Sequence, residues 1–311
     1  MFVFDFFDNF GKIYQEVSNR KNTVYPQNFG FINRKNVDNE GGAVLEDVKI
    51  VFSDIDGTFI TNDHRVTEPT AKAVRALLAG NIPLVLVSAR MPEAIYPITR
   101  KIGVNIPIIS YSGGLVLTER EEVLYDKRIG AADAAAVLAK IAADFPAATT
   151  NYYAGRHWYA ERINDAVKNE MNITEAVAEQ VSYSELLNKK ILPSKILVMA
   201  EPTMCEEMEK VLGAAHPALN VVRSSKILLE IMDKSVSKAT GIEVLLKHLG
   251  IGKEAALAFG DNYNDAEMLK LIPHSVAMGN APEPVKNMAA HVTLSNEEDG
   301  ISAFLQEQGI I

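Results

Sequence analysis

Cysteine is nearly missing from this chain: Cys205 is the only one in 311 residues. One thiol cannot form an internal disulfide, nor the zinc cages built from several thiolates. With no disulfide framework, a cytoplasmic location is expected. Long apolar runs are missing too. The best strand-like stretch, residues 82–87, is broken by Pro83 and falls far short of the roughly 18 apolar residues that cross a bilayer, so no membrane association is expected. Positive charge is in deficit, with 31 Lys and Arg against 40 Asp and Glu, a net −9. That balance argues against nucleic acid or an anionic membrane surface as the main partner, and an anionic substrate then needs a local positive site or a metal. The opening Met-Phe-Val-Phe-Asp-Phe-Phe-Asp carries acids where a signal peptide has a basic region, so export is not expected either.

What is present is an ordinary balance of 48% hydrophobic and 23% charged residues, enough to bury a core. At about 150 residues per domain, the length fits two domains, or one large domain with an insertion. Residues 1–47 differ from the rest: they hold seven of the twelve phenylalanines (Phe2, Phe4, Phe6, Phe7, Phe10, Phe29 and Phe31) and seven asparagines, without a sustained period. This N-terminal extension is expected to be a poorly ordered leader, including translated sequence upstream of a natural start; a docking arm is the alternative. From Val48 the pattern becomes α/β. Short apolar strands at 49–53, 82–87 and 106–110 alternate with helices, one capped by Thr67 and ended by Gly80, the next opened by Pro92, which predicts a parallel sheet covered on both faces. Between 117 and 231 an alanine-rich helix, the aromatic hairpin-like stretch 149–161 and further strands read as an inserted α+β module. The α/β pattern then resumes, with a helix at 238–249, a strand at 255–259 and a helix at 264–271.

Two acidic runs carry the chemistry. Asp54-Ile55-Asp56-Gly57-Thr58 directly follows a strand, where an open α/β sheet binds its ligands, and extended geometry points residues 54 and 56 to the same side. Two such carboxyls can divide roles as nucleophile and proton donor; Asp-Gly as plain turn chemistry is the bland reading. The second run, Gly260-Asp261-Asn262-Tyr263-Asn264-Asp265, also follows an apolar strand. If the two strands are neighbours, Asp54, Asp56 and Asp261 converge, and oxygen ligands without His or Cys suit Mg²⁺. Helix capping by Asn264 or Asp265 is the competing reading. Ser88-Ala89-Arg90 ends the second strand, where a hydroxyl and backbone N–H groups can hold phosphate oxygens. Lys238 opens the helix after the module, and its ammonium could neutralise a phosphoryl group.

Together these four pieces resemble the haloacid dehalogenase superfamily, and within it the Cof-like phosphatases of class IIB. The likeness spans about residues 48–308 and includes the tail runs Ala277-Met278-Gly279-Asn280-Ala281 and Glu297-Glu298-Asp299-Gly300-Ile301. It implies a Rossmann-like core from residues 48–116 and 232–311, interrupted by a C2-type α/β cap over residues 117–231. It implies a Mg²⁺-dependent phosphomonoester hydrolase acting on sugar phosphates or similar small phosphorylated metabolites through an aspartyl-phosphate. Asp54 is then the nucleophile and Asp56 the general acid/base. Ser88, Ala89, Lys238 and Asn264 bind phosphate; Asp54, Asp56 (through its backbone carbonyl) and Asp261 bind metal, with Asp265 behind them. The expected partner is a small phosphate ester; a phosphomutase, or a non-catalytic binding protein of the same fold, is the alternative.

Two departures stand out. Ser112-Gly113-Gly114 replaces the usual Asn-Gly pair after the third strand, and Ala89 stands where glycine is more usual. In the cap, the run Arg156-His157-Trp158-Tyr159 is the most distinctive candidate for substrate contact. Packing of Trp158 in the cap core, with His157 facing solvent, fits the sequence equally well. Cys205 reads as a small buried hydrophobe.

Overall fold

Ile50–Asp54 (β1) is apolar for three residues and buried throughout, the composition of a strand covered on both faces. The computed structural model describes Leu45 and residues 47–311, so the expected leader falls almost wholly outside the described residues. After β1 come α1 (Glu68–Ala79), β2 (Leu84–Val87), α2 (Pro92–Lys101), β3 (Ile108–Ser110), β4 (Leu115–Leu117) and β5 (Val123–Asp126). The expected caps are in place: Thr67 accepts from the Thr70 N–H, and Gly80 closes α1. Next follow α3 (Ala131–Asp144), β6 (Thr149–Ala154), β7 (His157–Ala160), α4 (Asp165–Thr174), β8 (Ala178–Gln180), α5 (Tyr183–Asn188), β9 (Lys195–Met199), α6 (Pro202–Ala215), β10 (Leu219–Arg223) and β11 (Leu228–Asp233). The chain ends with α7 (Lys238–Leu249), β12 (Ala256–Gly260), α8 (Ala266–Leu271), β13 (His274–Ala277), α9 (Glu283–Lys286), β14 (His291–Val292) and α10 (Gly300–Glu307).

Among the described residues there are two sheets. One has eight strands in the order β14-β13-β12-β1-β2-β3-β4-β5, and the other six in the order β10-β11-β9-β6-β7-β8. In the first, β14 through β3 run parallel, and β4 and β5 are added antiparallel. Alternation along β1 sends Ile50 and Phe52 against Ile242, Leu245 and Met268 of α7 and α8. Val51 faces Val74, Ile95 and Phe304 of α1, α2 and α10. From β1 the chain moves outward to β2 and β3, then returns on the other flank at β12. The strand order therefore reverses between β1 and β12, and their carboxyl ends open a crevice there.

The change of sheet comes later than expected. β4 and β5 hydrogen-bond onto the eight-stranded sheet, so the segment carrying the second sheet begins after Asp126 rather than at 117, and it closes with β11 at Asp233 rather than at 231. The charged turn Glu119–Glu122 and the half-exposed, non-alternating β5 gave no sign of a continuing sheet.

Candidate active site

The two acidic runs meet at the crevice. Gly57 has φ +82°, and a Cβ on it would lie 2.4 Å from Asp261 Oδ2, so only glycine lets the loop after β1 touch the loop after β12. Thr58 Oγ1 donates to Asp261 Oδ1 at 2.8 Å. Asn280 Nδ2 donates to the Gly57 carbonyl at 2.8 Å and to Asp261 Oδ2 at 3.4 Å. Asp261 is thus clamped by two side chains to which the sequence reading gave no role.

Lys238 is delivered from below the strand ends. Gly113 has φ +104°, and a Cβ there would sit 1.9 Å from the Ser237 carbonyl. The Ser112-Gly113-Gly114 turn therefore packs directly on the start of α7, where Ser237 caps the helix. Lys238 Nζ donates to Asp54 Oδ1 and to Asp265 Oδ1, each at 2.5 Å, with its side chain 0% exposed. Burial alone would lower the Lys238 pKa; the charges of Asp265 and Asp54 outweigh it and raise it. Asp265 accepts the N–H groups of Asp261 and Asn262 on its other oxygen, at 2.9 and 3.0 Å. It is therefore a brace with both oxygens engaged. Asp54 Oδ2, by contrast, receives no hydrogen bond among the described residues.

The carboxylates crowd one another. Burial raises the pKa of Asp54 well above the usual range; Lys238 opposes this, while Asp265, Asp261 and Asp56 add to it. Asp261 is pushed up to about 6, first by burial, with the Thr58 hydrogen bond opposing and Asp265 reinforcing. One oxygen from each of Asp54, Asp261 and Asp265 lies within 4.8 Å of the others. Three carboxylates facing one ammonium leave the cluster with excess negative charge in a buried, all-oxygen setting, so a hard divalent cation fits the donor set.

The Asp56 side chain stands outside that cluster. Its oxygens take a bidentate pair from Arg90, at 2.9 Å to Nε and 2.6 Å to the second guanidinium nitrogen, and His64 Nδ1 lies 3.8 Å away. Sequence alone assigns Arg90 no role beyond its place in the Ser88-Ala89-Arg90 run; its planar fork is the signal that points to this pairing. Ser88 is buried, and its Oγ accepts the Arg90 N–H at 3.1 Å. Ala89 adjoins it and presents its carbonyl to Lys195 at 2.6 Å. Asn264 sits in the 3₁₀ turn Tyr263–Asp265, exposed, and forms no side-chain hydrogen bond to the other site residues.

Of the distinctive run in the second sheet, Trp158 is packed inside, stacked on Tyr153 and donating to Asn151 Oδ1 at 2.9 Å. His157 is exposed and pairs with Glu179, and Arg156 bridges Glu93 and Glu121 at 2.6 and 2.5 Å. None of the three bonds to Asp54, Asp56 or Ser88, so the packing reading of Trp158 and the solvent-facing reading of His157 hold. Cys205 lies on the buried face of α6 among apolar side chains.

The family model of the haloacid dehalogenase-like hydrolases matches residues 51–305, which includes every residue of the site. The chain belongs to this family. A Haemophilus influenzae relative that bears a provisional phosphatase name is 33% identical over 261 residues, spanning 84% of this chain and 98% of its own. The HMP-PP phosphatase of Serratia proteamaculans is 24% identical over 274 residues, covering 83% and 94%. Among solved structures, a haloacid dehalogenase-like hydrolase of Bacteroides thetaiotaomicron superposes with TM-score 0.75 at 27% identity, over 83% of this chain and 98% of that one. A subclass IIB sugar phosphatase superposes with TM-score 0.73 at 27% identity, over 85% and 100%. This haloacid dehalogenase-like hydrolase is a phosphatase of the Cof type, with the Rossmann-like core that the strand order describes.

Proposed function

We propose that this phosphatase is a Mg²⁺-dependent phosphomonoester hydrolase that works through an aspartyl-phosphate on Asp54, with sugar phosphates or similar small phosphorylated metabolites as substrates. The observation that carries the reading is the pairing at the crevice: a buried Asp54 fixed through Oδ1 by Lys238, with Oδ2 unengaged, beside a second carboxylate, Asp56, on the open side. Asp54, Asp261 and the Asp56 backbone carbonyl would hold Mg²⁺, which supplies positive charge to the phosphoryl oxygens. Lys238 and Ser88 hold those oxygens as the Asp54 carboxylate attacks phosphorus. Asn264 and the Ala89 backbone complete the phosphate contacts.

Asp56 gives its proton to the departing alkoxide, then takes one from the water that opens the acyl phosphate. Its bidentate pair with Arg90 must be broken for this, so entry of substrate exchanges the guanidinium for the leaving oxygen. The segment bearing the six-stranded sheet serves as the cap that excludes water during the reaction. The likeness to a subclass IIB sugar phosphatase supports the substrate class. Purified protein is expected to hydrolyse p-nitrophenyl phosphate with Mg²⁺ and to lose that activity in EDTA. No turnover with Mg²⁺, on this ester and on a panel of sugar phosphates, would refute the hydrolase reading.

A further inference from the structure

The six-stranded sheet carries a second polar cluster, separate from the catalytic carboxylates. One face of the sheet lies under α3 and α6, where Ile196, Val198, Leu229 and Ile231 are buried. Glu230 pairs in register with Leu197, so Lys195, Leu197, Glu230 and Met232 lie on the opposite face. Lys195 and Glu230 are 4% and 7% exposed. Lys195 Nζ donates to the Ala89 carbonyl at 2.6 Å, inside the Ser88-Ala89-Arg90 turn, and to Glu230 Oε1 at 3.3 Å. It also lies over the rings of Tyr153 and Tyr111, at 5.3 and 5.8 Å from their centroids. Burial raises the pKa of Glu170, half-buried on α4, with the charges of Lys195 and Arg90 opposing and those of Glu230 and Asp56 reinforcing.

The bonding here is lopsided. Both cations are occupied: Arg90 is forked onto Asp56, and Lys195 is shared between Ala89 and Glu230. The acceptors are not: among the described residues, Glu230 Oε2 and both Glu170 carboxylate oxygens receive no hydrogen bond. A buried ion pair adds little stability over apolar residues of the same size, so stability does not explain keeping this one against the phosphate-binding turn. Those oxygens are not sealed away from water, so a ligand entering there can exchange water for donors of its own.

We infer that Glu170 and Glu230, braced by Lys195, form the leaving-group face of the site and select an alcohol that carries hydroxyl or ammonium donors and no second anion. The inference rests on the phosphomonoesterase reading above and narrows it. Lys195 acts here as a positioning residue, tying the acceptors to the turn that holds phosphate.

Matched substrates test it. Glycerol 3-phosphate and 3-phosphoglycerate differ in a CH₂OH against a carboxylate; glucosamine 6-phosphate and 6-phosphogluconate make a longer pair. With Mg²⁺, kcat/KM is expected to favour the member of each pair without a carboxylate by about tenfold or more, because like charges meet in the other. Glu230→Gln and Glu170→Gln, both close in shape to the native side chain, should shrink that ratio to about threefold or less. Calorimetric binding of the same compounds to Asp54→Asn protein reads the preference without turnover. Equal or better use of the members bearing a carboxylate, or ratios that both variants leave untouched, overturns the inference. Tighter binding of the members without a carboxylate, with no hydrolysis of p-nitrophenyl phosphate, sinks the hydrolase reading instead, and leaves Glu170 and Glu230 only as a face that selects a bound phosphate ester.

Discussion

The eight-stranded and six-stranded sheets both bury charged side chains, but they assemble them differently. At the crevice of the first, the charges come from strand ends and a helix start: Asp54 closes β1, Asp261 follows β12, and Lys238 opens α7. On the face of the second, Lys195 opens β9, Glu230 lies inside β11, and Glu170 comes from α4. Strand ends gather chemistry because the backbone there has left the ladder and side chains can converge on one point. A strand interior offers only alternate positions on a flat face, which suits contact with a ligand better than attack on one. In the proposed reading, the first arrangement carries out the reaction and the second reads what is attached to the phosphate.

Substitutions can break this contrast. The largest effect is expected from Asp54→Asn, which removes the proposed nucleophile and should lower kcat by about 10⁴-fold or more in a steady-state assay, with the folded state retained. Lys238→Met leaves Asp54 and Asp265 facing each other in a buried site, and chemical denaturation should show a loss of about 3–5 kcal/mol. Added Mg²⁺ should recover part of that loss. In the other sheet, Trp158→Phe strands the Asn151 side-chain oxygen and should cost about 1–3 kcal/mol, while kcat on p-nitrophenyl phosphate stays near the native value. A collapse of kcat there would mean that the two regions are not divided as described.

The smallest expected effect is one of pH. Asp261 is raised from the ordinary 3.8 to about 6 in the protein without cation. A carboxyl with a raised folded-state value favours the fold while protonated, so its contribution is full below 3.8 and fades as pH rises through about 6. A bound cation cancels that loss by competing with the proton. The Mg²⁺-induced rise in Tm should therefore be larger at about pH 7.5 than at about pH 5, measured by calorimetry. An equal rise at both would place the cation elsewhere.

These differences also decide what could be read from the chain. Asp54, Asp56, Asp261 and Asp265 were legible because each pair falls within a few residues and directly follows an apolar strand. Lys238 and Ser88 were legible by position at a helix start and a strand end. Thr58 and Asn280, which clamp Asp261, were within reach of the same motifs, but which side chain each meets depends on how the strands are ordered. The Asp56–Arg90 pair joins two loops that only the β1–β2 pairing brings together. Lys195 and Glu230 were illegible, since two residues so far apart in the chain meet only through strand register, and Glu170 stands on a helix whose placement the sequence did not give. The aromatic run at Trp158 drew attention by composition, although a large ring flanked by strand neighbours packs into a core as readily as it faces a ligand.

The central claim is that Asp54 carries the phosphoryl group and Asp56 governs its release. Mass spectrometry of Asp56→Asn protein, mixed with Mg²⁺ and p-nitrophenyl phosphate and quenched in acid, tests it most directly. The account predicts one phosphoryl adduct, mapped to the peptide bearing Asp54 and absent from the Asp54→Asn, Asp56→Asn double variant. An adduct on another residue, or turnover by the single variant at the native rate with no adduct trapped, would contradict it.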